Sequence, residues 1–164
     1  MTLDPRQQID EALRAYCRGI DRLEPEILAS AFHPGAMLHG YGARSHPIEA
    51  FAPFVVAALG RTYRSTQHSI SNTTITFDDA GTAAKVETYV TAIHVLAADD
   101  DHPGERLHVA RGRYIDRAAP RDGEWRLTER HLRIDVTETR DCGEPMPGHW
   151  VPSGRGGTPD PLWD

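Results

Sequence analysis

TYRSTQHSISNTTITF, residues 62–77, decides how this chain is read. Its side chains alternate with the two-residue period of a strand, placing His68 and Ile70 on one face and Gln67 and Ser69 on the other. From here the chain changes character. Three further β-rich segments follow at 82–97, 106–117 and 124–137, bounded by DDAG, ADDDHPG and APRDG. Each boundary holds glycine with aspartate or proline, the residues that accept hairpin geometry. Successive strands joined by such short links pair antiparallel.

Upstream the pattern is helical. Asp4-Pro5 reads as an N-cap followed by proline at the first helical position, and Ile9, Leu13, Tyr16 and Ile20 then form one apolar stripe. EPEILASAF, residues 24–32, reads as a second short helix ended by HPGA, and MLHGYG as a short strand and turn. His46-Pro47 starts a third helix, with Phe51, Phe54, Val55, Ala58 and Leu59 on its buried side and Gly60 closing it.

Helices first and long antiparallel strands after them predict an α+β fold, with the helices on one face of a curved sheet. The expected domain spans residues 1–140. Residues 141–164 predict an extended tail whose Trp150, Val151, Leu162 and Trp163 pack on their own or a neighbouring subunit.

The composition of the 164 residues is that of a globular protein, 39% hydrophobic and 26% charged. A net charge of −6 lacks the basic surplus that phosphate backbones attract, so no nucleic-acid partner is expected. No apolar run is long enough to span a bilayer and residues 1–20 carry charges throughout, so neither a membrane span nor a signal peptide is expected. With Cys17 and Cys142 in no metal or redox spacing, a cytoplasmic location follows. The nine histidines are scattered singly, and no metal site is expected from their spacing.

Two polar residues stand where a core is expected. Asp21 lies between Ile20 and Leu23, five positions after Tyr16, which on an ideal helix sets the pair about 140° apart. They can converge only on a group beyond the helix end, or if the helix loosens near Gly19. Taken alone, Asp21 reads as a solvated acid and His68 as a satisfied strand residue. On the last strand Trp125 and Leu127 share one face, and Arg130 takes the other unless a bulge intervenes. Glu129 and Arg133 read as solvated, and Arg111 and Arg113 as partners in cross-strand salt bridges.

The pattern Tyr16-x4-Asp21, then AFHPGA, TQHSISN, AKVETYVTAIH and GRYIDR…RDGEWRLTERHLRID, resembles the SnoaL-like branch of the nuclear transport factor 2-like superfamily over residues 6–137. Its motif is most similar to those of scytalone dehydratases, bile-acid 7α-dehydratases and hexachlorocyclohexane dehydrochlorinases. The resemblance implies a cone-shaped α+β barrel, a mostly antiparallel curved sheet wrapped around the N-terminal helices. It implies a cofactor-independent lyase in which His68 is the base and Asp21 orients it, with Tyr16 and Arg130 completing the catalytic set. His94 lies where scytalone dehydratases carry a second histidine.

The resemblance also implies a homotrimer, with a dimer as second choice. Phe54, Tyr63, Tyr89 and Trp150 are aromatic candidates to line a pocket for a small hydrophobic ring compound. The same pocket would serve an isomerase or polyketide-type cyclase, a non-catalytic ligand-binding protein, or an oxygenase small subunit.

Overall fold

The computed structural model describes residues 3–143, 147–150 and 155. Three helices and six strands follow in the order α1 (Pro5–Arg22), α2 (Pro25–Ser30), β1 (Phe32–His39), β2 (His46–Pro47), α3 (Ile48–Thr62), β3 (Tyr63–Phe77), β4 (Ala84–Leu96), β5 (Arg106–Arg121) and β6 (Glu124–Asp141). The strands form one mixed sheet in the order β2-β1-β6-β5-β4-β3. Only β1 and β6 run parallel, and every other neighbouring pair is antiparallel. The expected α+β class holds, with the cone left open between β2 and β3. Helix α1 lies against β3 and β6, and α3 against β1 and β3. Among the described residues no helix is long and apolar enough to cross a membrane.

Local chemistry sets the element ends. The Asp4 carboxylate accepts from Gln7 N–H while the Gln7 side chain accepts from Asp4 N–H, a complete capping box, with Pro5 at the first helical position. Ile9, Leu13, Tyr16 and Ile20 are all buried, as their spacing predicts. The β5–β6 hairpin turns on Asp122 and Gly123, whose φ values of 54° and 84° suit a two-residue turn twisting with its strands.

Bulges decide which side chains face the helices. On β3, Ser71 pairs with Tyr89 and Thr74 with Glu87, so the chain holds one extra residue around Asn72, which takes φ 48°. The bulge rephases the strand, and Ile75 and Phe77 turn to the same side as His68 and Ile70. On β6, Arg117 pairs with Glu129 but Ala118 with Leu127, leaving Thr128 as the extra residue. Trp125, Leu127 and Arg130 therefore all point inward.

Several boundaries depart from expectation. HPGA does not end an element: His33 to Ala36 lie inside β1, where Gly35 at φ 78° allows an irregularity between Phe32 and Met37. His46-Pro47 pairs with Met37 and Leu38 as β2, so α3 begins only after this pair, at Ile48. That helix runs past Gly60 to Thr62. β6 continues to Asp141, four residues beyond the expected end. Most of the expected tail, Val151, Leu162 and Trp163 included, lies outside the described residues.

The last turn of α1 is tightly set against α2. A Cβ at Gly19 would sit 2.3 Å from Leu28 N and 2.6 Å from its Cα. Gly19→Ala ordinarily gains about 1 kcal/mol of helix propensity. Here backbone overlap is expected to outweigh it and to lower stability by about 1–3 kcal/mol in urea unfolding. An unchanged or raised midpoint would show that α1 and α2 do not approach so closely.

Candidate functional site

Helix α1 remains helical through Gly19 to Arg22, and the chain leaves it through Leu23 in the left-handed conformation. Asp21 is thus held on the final turn, facing β3. Its Oδ1 accepts from His68 Nδ1–H at 2.7 Å and from the Thr66 hydroxyl at 3.0 Å, and its Oδ2 accepts from His68 N–H at 2.7 Å. The His68 side chain is 7% exposed and that of Asp21 19%. A polar cleft of about 420 Å³, lined by Arg18, Arg22, Thr66 and Gln67, reaches Asp21 from outside.

Burial raises the affinity of Asp21 for a proton, but the bonds and charge from His68, with Thr66, outweigh it and hold the carboxyl below the usual aspartate range. An ionised carboxylate only accepts, so His68 Nδ1 carries a proton, and in the neutral form of the ring the lone pair lies on Nε2, which makes no hydrogen bond among the described residues.

His94 packs edge-on to His68, with ring centroids 5.5 Å apart, and beside Tyr63 at 4.7 Å. Its Nδ1 lies 3.3 Å from the His108 carbonyl oxygen. Burial, helped by the neighbouring His68, pushes the His94 imidazole down to about 4. Arg155 arrives from the C-terminal segment, its Nη1–H donating to the Tyr63 carbonyl at 2.7 Å. The Nε and Nη2 atoms of Arg155 are buried without a hydrogen-bond partner among the described residues.

A second polar centre lies in the core. Arg130 and Asp116 are both wholly buried and form a two-pronged pair, Nε to Oδ1 at 2.8 Å and Nη2 to Oδ2 at 2.7 Å. The guanidinium sits in the corner formed by the edge-to-face rings of Tyr16 and Tyr114, 4.2 and 3.9 Å from their centroids. Burial alone would push Arg130 down, but Asp116 outweighs it and holds the group well above the ordinary arginine range. The Tyr16 hydroxyl meets that of Tyr41 at 3.0 Å. Burial raises the Tyr16 phenol and the charge of Arg130 works against that rise. Arg130 Nη1 and Thr88 Oγ1, both buried, have no hydrogen-bond partner among the described residues.

Of the expected site residues, the fold brings Asp21, His68, His94 and Tyr63 together, and Tyr16 with Arg130. Three others lie elsewhere. Phe54 is 60% exposed, because Ile48, Phe51, Ala52 and Val55 form the inward stripe of α3 and turn it out against His46. Tyr89 pairs with Arg113 on the outer face of the sheet and lies under its guanidinium. Trp150 is 61% exposed beside His149.

Sequence reasoning missed Asp116, Tyr41, Thr66 and Arg155. Asp116 was open to discovery, since Gly112, Tyr114 and Ala118 share its face at a period of two. Arg155 stands among glycines, with no periodic signal.

A family model of the SnoaL-like domain matches residues 1–131. The chain belongs to that family. The structure agrees with solved relatives of the same architecture. A protein of Novosphingobium aromaticivorans provisionally assigned as a scytalone dehydratase superposes with a TM-score of 0.69 at 23% identity, covering 90% of this chain and 95% of that one. The hexachlorocyclohexane dehydrochlorinase LinA-type3 of Novosphingobium barchaimii gives 0.73 at 17% identity, covering 90% and 94%. The Kfla4162 protein of Kribbella flavida gives 0.70 at 22%, covering 82% and 93%. No curated protein matches the sequence. At such identities the likeness carries the SnoaL-like fold, and the site rests on the geometry above.

Two measurements check the electrostatics. In an NMR titration His94 should hold its ring resonances constant through neutral pH and shift only toward pH 4, whereas a midpoint near 6.5 would contradict its burial. Its effect on folding has the matching sign: full stability above about 6.5, lost as pH falls toward 4. Asp116→Ala leaves Arg130 charged and unpaired in the core and should cost about 3–5 kcal/mol in denaturant unfolding. A loss under 1 kcal/mol would mean that water reaches the guanidinium.

Proposed function

We propose that this SnoaL-like protein is a cofactor-independent lyase that eliminates water, or a comparable leaving group, from a small hydrophobic cyclic substrate. The observation that carries the reading is the His68 side chain held by Asp21 through Nδ1, nearly closed to solvent, with no hydrogen bond to Nε2 among the described residues.

His68 Nε2 takes the proton from a carbon next to a carbonyl or ring. The electrons of that C–H bond form the new C=C bond as the neighbouring C–O bond breaks. Asp21 stabilises the imidazolium that results and holds the ring in the reactive tautomer. Tyr16, protonated at neutral pH because burial raises its phenol, donates its proton to the departing oxygen. Arg130 lies against the Tyr16 ring and supports the negative charge that develops on the phenol. Its fork is engaged by Asp116, so only Nη1 remains for any direct contact with substrate.

His94 packs against both His68 and Tyr63, and the two nitrogens of Arg155 without a partner among the described residues would offer a polar handle for an oxygen of the substrate. The assembly in this reading is a homotrimer, its contacts drawing on half-exposed apolar residues of β6 such as Ile134 and Val136.

The experiment is turnover of cyclic hydroxy-ketones followed by mass spectrometry. Loss of the mass of water marks elimination, and an unchanged mass with a moved double bond marks an isomerase. His68→Ala and Asp21→Asn should each lower kcat by at least about 10²-fold with the fold retained by circular dichroism. Tyr16→Phe should reduce kcat more than it raises KM. Full turnover in the His68 or Asp21 variant would end the proposal.

A further inference from the structure

On the sheet face opposite Arg130, the parallel pairing of β1 and β6 sets His39 beside His131 and Met37 beside Glu129. Because Arg130 points into the core, its neighbours Glu129 and His131 both point outward. Glu129 Oε1 lies 2.9 Å from His131 Nε2 and 3.4 Å from His39 Nε2. The three donor atoms all lie within 4.8 Å of one another. The two imidazoles stack with centroids 4.3 Å apart and planes 12° from parallel.

The outer atoms of the cluster are also held. His39 Nδ1 lies 2.6 Å from the Ser45 hydroxyl, and Arg117 Nε forms an ion pair with Glu129 Oε2 at 3.2 Å.

We propose that His39, Glu129 and His131 form a binding site for one divalent cation of the zinc class, clipping β1 to β6 on the outer face of the sheet. Two imidazoles and a carboxylate are a ligand set that zinc accepts, with metal–ligand distances of about 2.0–2.2 Å. Tetrahedral ligands at that radius stand roughly 3.3 Å from one another. The two measured separations from Glu129 Oε1 fall on either side of that value.

The surroundings match the way metal-bound histidines are oriented, in which the remote ring nitrogen donates to a fixed oxygen and leaves the other nitrogen for the ion. In the tautomer whose Nδ1–H is given to Ser45, the His39 Nε2 lone pair faces the Glu129 carboxylate, and a cation between them replaces that repulsion with two attractions. Small rotations about χ2, a soft torsion in histidine, bring both lone pairs onto one point. The side chains are 28–35% exposed, which leaves the fourth coordination position open to water. The positive charge of Arg117 opposes an incoming cation and sets the affinity below that of a closed four-ligand site.

The sequence spacing gave no hint of such a site, because only Glu-x-His lies on one strand and the third ligand comes from β1, 90 residues earlier than Glu129.

The test is competition for zinc between the metal-stripped full chain and a fluorescent zinc indicator, with thermal unfolding in parallel. One zinc per chain is expected, with a rise in Tm. His39→Ala, His131→Ala and the shape-preserving Glu129→Gln should each weaken binding at least tenfold and abolish the Tm rise. His102→Ala, in the exposed loop between β4 and β5, should change neither. Absence of saturable binding by the unaltered chain would overturn the proposal. So would full-strength binding in the His39 and His131 variants, which would place the zinc on other histidines such as His94 and His108.

Discussion

The Asp21 carboxylate accepts three hydrogen bonds from β3, and two of them come from the backbone and the side chain of the same residue. Burying a carboxylate costs several kcal/mol unless its oxygens are satisfied. Every donor among the described residues lies on a single strand, so this compensation requires the last turn of α1 to meet β3 in this register. One residue therefore joins helix to sheet, fixes the tautomer of the imidazole and sets where Nε2 points. The close seating of Gly19 on α2 and the capping box at Asp4 hold the helix from which that carboxylate projects.

The second ionic centre follows a different logic. Arg130 and Asp116 give up all contact with water, and pairing alone does not make such a burial favourable over an apolar core. The rings of Tyr16 and Tyr114, packed edge-to-face beside the guanidinium, recover part of the cost through the attraction of cation for ring face. What the arrangement supplies is a fixed positive charge beside the Tyr16 hydroxyl, in surroundings where charges are weakly screened. Arg130 Nη1 and Thr88 Oγ1, buried without a partner among the described residues, add to the cost of this core.

Much of this was legible in the chain. The apolar stripe of α1, the limits of β3 and the α+β order come from periodicity and turn chemistry, which act locally. The pairing of Asp21 with His68 was reached only through the family resemblance, since each residue by itself favours a solvated or structural reading. Phe54 and Tyr89 were misjudged because aromatic character says nothing about facing; α3 buries a stripe that excludes Phe54, and the pleat of β4 turns Tyr89 outward. Asp116 and Arg155 were missed for opposite reasons. The first follows the strand period and was hidden by its charge, and the second belongs to a segment without any period.

The bulge at Thr128 ties these observations together. Strand side chains alternate strictly, so without the extra residue β6 would present Glu129 and His131 to the core along with Trp125 and Leu127, and Arg130 to solvent. Asp116 would then be buried with no cation, and two further ionisable groups would be desolvated with it. The alternative register is penalised several times over by burial of unpaired charge, whereas the bulge sacrifices little more than one set of ladder bonds. The same insertion puts Arg130 against Tyr16 and leaves Glu129 and His131 facing His39. A single extra residue thus assigns one stretch of strand both its inward charge and its outward imidazole cluster, and the chemistry on either face of the sheet depends on it.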